Sequence, residues 1–198
     1  MKSGSFNICL SGLTGSGKST LARKLAERYG LKRVSGGEML KGMISGESSL
    51  TDQGWWEREQ ASEALKLRLE DPKYDLEVDR KLMELAREGG YVLDSWTMAY
   101  LLDCSSCVKV FLKADLEVRA ERVSMRDGIS VDEAKNMIIL KEKRTYEIYK
   151  KIYGFKLGED LTPFHLVLDT TELTPEEVFQ IVSMYIDTLL AKKGIKVK

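Results

Sequence analysis

The chain has 198 residues, enough for one domain of ordinary size and too few for a second full one, and its 43% hydrophobic and 31% charged content excludes disorder as the main state. Lys plus Arg number 31 and Asp plus Glu number 31, so the formal net charge is +0 and no bulk basic charge is available to hold a nucleic-acid backbone. Three Cys, one His and three Pro argue against a disulfide framework, a His-rich metal site and a proline-rich linker, and point to a reducing, cytoplasmic setting. Apolar runs such as 108–112 fall far short of the roughly 18–20 residues that span a bilayer, and the run 6–10 is too brief for a signal-peptide core. Neither a membrane partner nor export is expected.

In chain order, residues 6–10 read as a buried strand, and 18–29 as a helix whose Leu21, Ala22, Leu25 and Ala26 share one face before Gly30. A short strand follows at 31–34 and a helical turn or two at 38–44. Residues 46–75 are polar and helix-prone, with Trp55 and Trp56 in their middle and Asp71-Pro72 as a break; they read as an inserted helical lobe. A helix at 76–88 ends at Gly89-Gly90, and a strand at 91–93 closes on Asp94. Residues 108–112 form the next strand, 115–126 a helix, 127–128 a turn and 131–153 a long charged helix. A last strand at 165–168 precedes Thr174-Pro175-Glu176-Glu177, a helix start leading into 178–190. Strands alternating with helices predict a three-layer α/β fold, a parallel sheet flanked by helices. All of it reads as one domain, 1–198.

The strongest chemical signal is Gly12-Leu13-Thr14-Gly15-Ser16-Gly17-Lys18-Ser19, followed by Thr20. It matches G-x-x-x-x-G-K-[ST] between a predicted strand and a predicted helix, the context the motif requires. Its backbone N–H groups would surround phosphate oxygens at the positive end of a helix, Lys18 would reach the β and γ phosphates, and Ser19 would ligate Mg²⁺. ATP as donor and Mg²⁺ are therefore the expected cofactors. Asp94, a carboxylate at the carboxyl end of an apolar strand, would lie beside this loop and hold Mg²⁺ or its waters; the other reading of Asp94 is a helix cap.

Arg119, Arg122 and Arg126 fall on one helical face, and Lys141, Lys143 and Arg144 follow. Such a series is either a solvated face or a set of cations on a mobile lid that neutralises transferring phosphates. Cys104-x-x-Cys107 lacks the second pair that zinc requires. His165 reads as structural. Trp55 and Trp56 either stack a base or form a miniature core.

The chain resembles the nucleoside monophosphate kinases, most closely the archaeal branch of the cytidylate kinases, over nearly its whole length. Besides the phosphate loop, the resemblance rests on Val34-Ser35-Gly36-Gly37-Glu38-Met39, on Val118 to Val123 with Arg126 and residues 127–131, on residues 149–154, and on Leu168-Asp169-Thr170. It implies a P-loop kinase core with an acceptor-binding lobe over 37–75 and a lid over 127–145. It also implies that Ser35 and Gly36 border a pyrimidine nucleotide, that Asp169 is near its ribose, that Arg122 packs on the donor adenine, and that Arg126 contacts phosphates. The sequence departs from the family where an Arg usually grips the acceptor phosphate: the run here is Asp94-Ser95-Trp96-Thr97. Lys41 also replaces an Arg of the branch, and Lys141 and Lys143 stand in for Arg; a Lys supplies charge without the bidentate fork.

The activity expected is γ-phosphoryl transfer from ATP to CMP or dCMP, with Lys18, Arg122, Arg126 and Asp94 as the catalytic set. Alternatives are a kinase for another small-molecule acceptor, or a nucleotide-binding regulator without turnover. The expected partner is a nucleotide substrate, with no nucleic acid and no membrane, on a monomer or weak dimer.

Overall fold

The computed structural model describes residues 6–45, 59–103 and 105–195. Five strands, β1 (Asn7–Gly12), β2 (Lys32–Ser35), β3 (Tyr91–Asp94), β4 (Cys107–Lys113) and β5 (Leu166–Asp169), form one parallel sheet in the order β2-β3-β1-β4-β5. The helices are α1 (Lys18–Tyr29), α2 (Gly36–Ser45), α3 (Glu59–Glu70), α4 (Lys73–Glu88), α5 (Met98–Leu101), α6 (Leu116–Asp127), α7 (Val131–Tyr153) and α8 (Pro175–Lys192). Trp55, Trp56 and Cys104, and with them residues 46–58 of the expected lobe, lie outside the described residues.

Period-2 alternation in the strands divides the core between the two faces of the sheet. Ile8 and Leu10 pack with Leu21, Leu25, Val182 and Ile186 beneath α1 and α8, whereas Cys9 and Leu93 pack with Val78, Leu82 and Met98 beneath α4 and α5. These are the three layers expected. Each fully buried Leu or Ile contributes ~1.5–3 kcal/mol, so the central strands anchor everything mounted on their ends. His165 is structural, accepting the Lys109 N–H at Nδ1. Among the described residues no helix is long and apolar enough to cross a membrane.

Helix boundaries move for local reasons. Helix α4 begins at Lys73, three residues before the expected start, with Pro72 at its N-cap. Helix α8 begins at Pro175, where Thr174 and Glu177 form a reciprocal capping box. The charge of residues 127–136 suggests a segment that buries little beyond Ile129 and Val131, and the structure corrects this. Val131 is 40% exposed, while Ala134 and Ile138 are fully buried against Ala120 and Val123 of α6. The long charged stretch is thus half of a packed α6–α7 hairpin.

Candidate active site

The phosphate loop joins the central strand β1 to α1, so it rises from the most deeply anchored part of the sheet. At Gly12, φ is +143° and a Cβ would stand 2.1 Å from the Leu112 carbonyl oxygen, an approach that only glycine permits. Helix α1 starts without a side-chain cap and without an acid in its first turn. Its N-terminal N–H groups are therefore left for an anion. The Ser16 hydroxyl is buried with no hydrogen-bond partner, a second observation that suits a phosphate ligand.

Thr14 through Thr20 line a cavity of about 780 Å³, whereas Gly12, at the end of β1, and Leu13 are not part of its lining. Lys18 Nζ donates to the Leu13 carbonyl at 2.6 Å and lies 5.6 Å from the centre of the Trp96 ring. Burial of the ammonium lowers its pKa to about 8, with Asp94 opposing the shift.

Sheet register aligns the other wall. Asp94 is level with Leu10 on one side and with Ser35 on the other, so the ends of β3 and β2 stand beside the loop. Asp94 is buried and meets Arg33 Nη2 at 3.5 Å; Arg33 also forks onto Glu38 at 2.7 and 3.3 Å. Ser35, Gly36, Lys41, Asp94 and Trp96 all line the same cavity as the loop, as does Ser19. Among the described residues no cluster of three or more His, Cys, Asp or Glu forms a protein-only metal cage. The donor set of one hydroxyl and one carboxylate suits a hard cation that completes its shell with phosphate oxygens and water.

The three arginines of α6 have three different roles. Arg122 lines the cavity and donates to the Thr170 carbonyl at 2.6 Å and its hydroxyl at 3.0 Å, and Thr170 in turn donates to the Ser16 carbonyl. Arg126 lines the cavity and pairs with Asp127 at 2.6 Å. Arg119 is buried beneath the loop. From α7, Lys141 lines the cavity and Lys143 does not. Asp169 also falls outside the lining: it accepts from Thr171, which holds its pKa down to about 2, and it pairs with Lys113 at 3.1 Å.

The far end of the cavity is a polar wall absent from the sequence reading. Arg68 forks onto Asp75 at 2.7 and 3.0 Å, both nearly fully buried, and reaches the Tyr149 hydroxyl at 3.5 Å. Asp79 accepts from Thr97 and Tyr153, both at 2.6 Å, while burial raises its pKa to about 6. Arg68 and Asp75 straddle the Asp71-Pro72 break, and Tyr149 lies 74 positions further on. Only the matching segment 149–154 hinted at a site there.

This constellation has relatives. A model of the cytidylate kinase-like family matches residues 7–172. The chain belongs to that family. It is 39% identical over 195 residues to a cytidylate kinase of Methanopyrus kandleri, covering 94% of this chain and 95% of the relative, and 37% identical to one of Pyrococcus horikoshii, covering 92% and 88%. Among solved structures it is similar to shikimate kinase from Acinetobacter baumannii in complex with shikimate, with a TM-score of 0.55 and 18% identity over 92% of this chain and 93% of that one. A gluconokinase from Sinorhizobium meliloti, at a TM-score of 0.51 and 16% identity, covers 96% and 99%. These last two likenesses concern the fold, a P-loop kinase sheet flanked by helices.

Proposed function

We propose that this chain transfers the γ-phosphoryl group of ATP to CMP or dCMP, giving ADP and the nucleoside diphosphate. The observation that carries the reading is that one cavity holds both ends of such a transfer: an uncapped phosphate loop with Lys18 on one side, and a side-chain wall running from Ser35, Gly36 and Lys41 to Arg68 and Tyr149 on the other. The relatives named cytidylate kinase support the acceptor class.

Within this reading the loop amides and Lys18 hold the donor phosphates, and in-line geometry brings the acceptor phosphate to the γ position. Ser19 and Asp94 would hold Mg²⁺, which when bound neutralises charge on the phosphate oxygens. No general base is required, because the attacking oxygen is already anionic. Leu173, Pro175 and Val178 give the donor end an apolar patch beside Arg122, suited to an adenine, and Arg126 and Lys141 supply further positive charge. Arg68, Asp75, Asp79 and Tyr149 offer donors and acceptors to the polar edge of a pyrimidine. Residues 37–75 serve as the acceptor lobe, and a lid within 127–145 closes over the phosphates. We place the reaction in the cytoplasm, on a monomer or weak dimer.

One observation favours a second reading. Trp96 lines the cavity where the family resemblance leads one to expect an Arg, and a hydroxyl acceptor without a phosphate would make no use of that Arg; Asp94 would then be the candidate base. An ADP-release assay across CMP, dCMP, UMP, AMP, GMP and small polyhydroxy acids separates the two. CMP or dCMP should exceed UMP, AMP and GMP by at least about ten-fold in kcat/KM. Turnover with a hydroxy acid alone would replace the nucleotide reading, and ADP release independent of any acceptor would overturn both.

A further inference from the structure

The phosphate loop is held from below by a buried ion pair that no part of the transfer scheme uses. Glu142 Oε1 accepts the backbone N–H of Thr14 at 2.8 Å and a hydrogen bond from Arg119 Nη1 at 2.8 Å. The same Nη1 donates to the Thr14 carbonyl at 3.0 Å, and Arg119 Nε donates to the Ala114 carbonyl at 2.9 Å. Both backbone polar groups of Thr14 are thus tied to one carboxylate–guanidinium pair, and Thr14, Arg119 and Glu142 are all buried. The approach is close: a Cβ on Gly15, whose φ is +78°, would stand 2.8 Å from the Arg119 carbonyl oxygen.

Two physical consequences follow. The Thr14 N–H points at a carboxylate and is withdrawn from the set that faces a phosphate, so the loop is ordered before any anion arrives. A bare carboxylate beneath a phosphate site would repel the ligand; Arg119 cancels that charge at contact distance.

The pair also sits at a definite place in the α6–α7 hairpin. Arg119 is in the first turn of α6, and Glu142 follows Lys141, which lines the cavity together with Thr145 and Tyr149 one and two turns further along α7. Between them, Arg122 is still held to Thr170, and the stretch beyond it, through the 128–130 turn to Leu140, packs back on α6 through Ala120, Val123, Ala134 and Ile138.

We propose that Arg119 and Glu142 are positioning residues, which set the phosphate loop through Thr14 and form the fixed root from which the α6–α7 hairpin moves. The proposal deepens the kinase reading and rests on it for the use of ATP. It shortens the moving segment: Glu142 to Thr145 belong to the anchored part, and the lid ends before Glu142.

The test uses the full chain and three variants, Glu142→Ala, Glu142→Gln and Arg119→Lys. Two readouts need no acceptor: amide exchange at Thr14 by NMR in the free protein, and affinity for ATP with Mg²⁺ by calorimetry. Glu142→Ala should speed exchange at Thr14 at least ten-fold and weaken ATP about ten-fold, while KM for CMP stays within two-fold. Glu142→Gln, whose amide oxygen can still accept the Thr14 N–H, should recover to within about three-fold of the parent. Arg119→Lys, whose single nitrogen cannot take the places of both Nε at the Ala114 carbonyl and Nη1 at Thr14 and Glu142, should weaken ATP at least three-fold, and it decides the matter if Glu142→Ala does not fold. A lower melting temperature with unchanged Thr14 exchange and unchanged ATP affinity would overturn the proposal. In the parent chain, ATP-dependent protection should be gained at 128–140 and not at 143–153; a uniform gain across both would overturn the assigned root. Binding of ATP without turnover of CMP would count against the acceptor assignment and leave these outcomes standing.

Discussion

The two ends of the cavity are built by different means. On the proposed reading, the phosphate-binding part of the donor end is made mostly of backbone: amides of the loop from Gly15 to Ser19 and a helix start with no cap, with Lys18 the one ammonium the loop itself supplies. The acceptor end is made of side chains from α2, α3, α4 and α7, joined by pairs such as Arg68–Asp75 and Tyr153–Asp79. Backbone geometry of this kind depends on a few glycines, such as Gly12 and Gly15, where a Cβ would meet backbone atoms. A wall of side chains can be re-specified one residue at a time, which is how Trp96 can stand where the family resemblance leads one to expect an Arg while the phosphate loop is intact.

The largest effect should come from the donor end. Lys18→Ala removes the one charge the loop places against the transferring phosphates and should lower kcat by about 10³-fold or more. Its melting temperature without nucleotide should barely change, because the glycine-built backbone is untouched. Near-normal turnover would show that the loop's charge is idle and would erase the contrast. In the parent protein, kcat/KM for ATP should fall as pH rises above about 8, where the free enzyme's Lys18 loses its proton.

The next effect belongs to the acceptor wall and is one of stability. The Asp79 carboxyl titrates higher folded, at about 6, than unfolded, near 4, because burial disfavours its charge. The folded state therefore binds more protons between those values, and this group's contribution falls as pH rises through that window. The loss amounts to about 2–3 kcal/mol by pH 7. Asp79→Asn should remove it, so the stability difference between variant and parent, read by urea denaturation, should change by that amount between pH 4 and 7. A difference constant with pH would mean that Asp79 is charged at no cost.

The smallest effect sharpens the comparison. Trp96→Arg offers a guanidinium to the acceptor phosphate and should lower KM for CMP about three- to ten-fold. It also brings a cation beside Lys18, so the fall in kcat/KM for ATP should begin below pH 8. An unchanged or higher KM for CMP in this variant would mean that the phosphate is not seated near position 96.

Much of this was legible in the residues themselves. The motif from Gly12 to Ser19 announces its geometry because glycine spacing encodes backbone shape, and the alternation of apolar runs with helical periods encodes a parallel sheet, since parallel strands need crossovers. The capping signals at Thr174 and Gly128 likewise act within a few positions. What the sequence could not decide depends on contacts between distant positions. Arg119, Arg122 and Arg126 share one helical face and look equivalent, yet Arg119 is drawn under the loop by Glu142, while Arg122 and Arg126 both line the cavity, the first held by Thr170 and the second paired with Asp127. Arg68, Asp75, Asp79 and Tyr149 meet only because α3, α4 and α7 pack together, and Asp169, placed by resemblance near the ribose, is outside the cavity lining, held by Thr171 and Lys113. Local order is written in neighbours and periodicity, whereas the partner of a buried charge is set by which helices the core brings face to face.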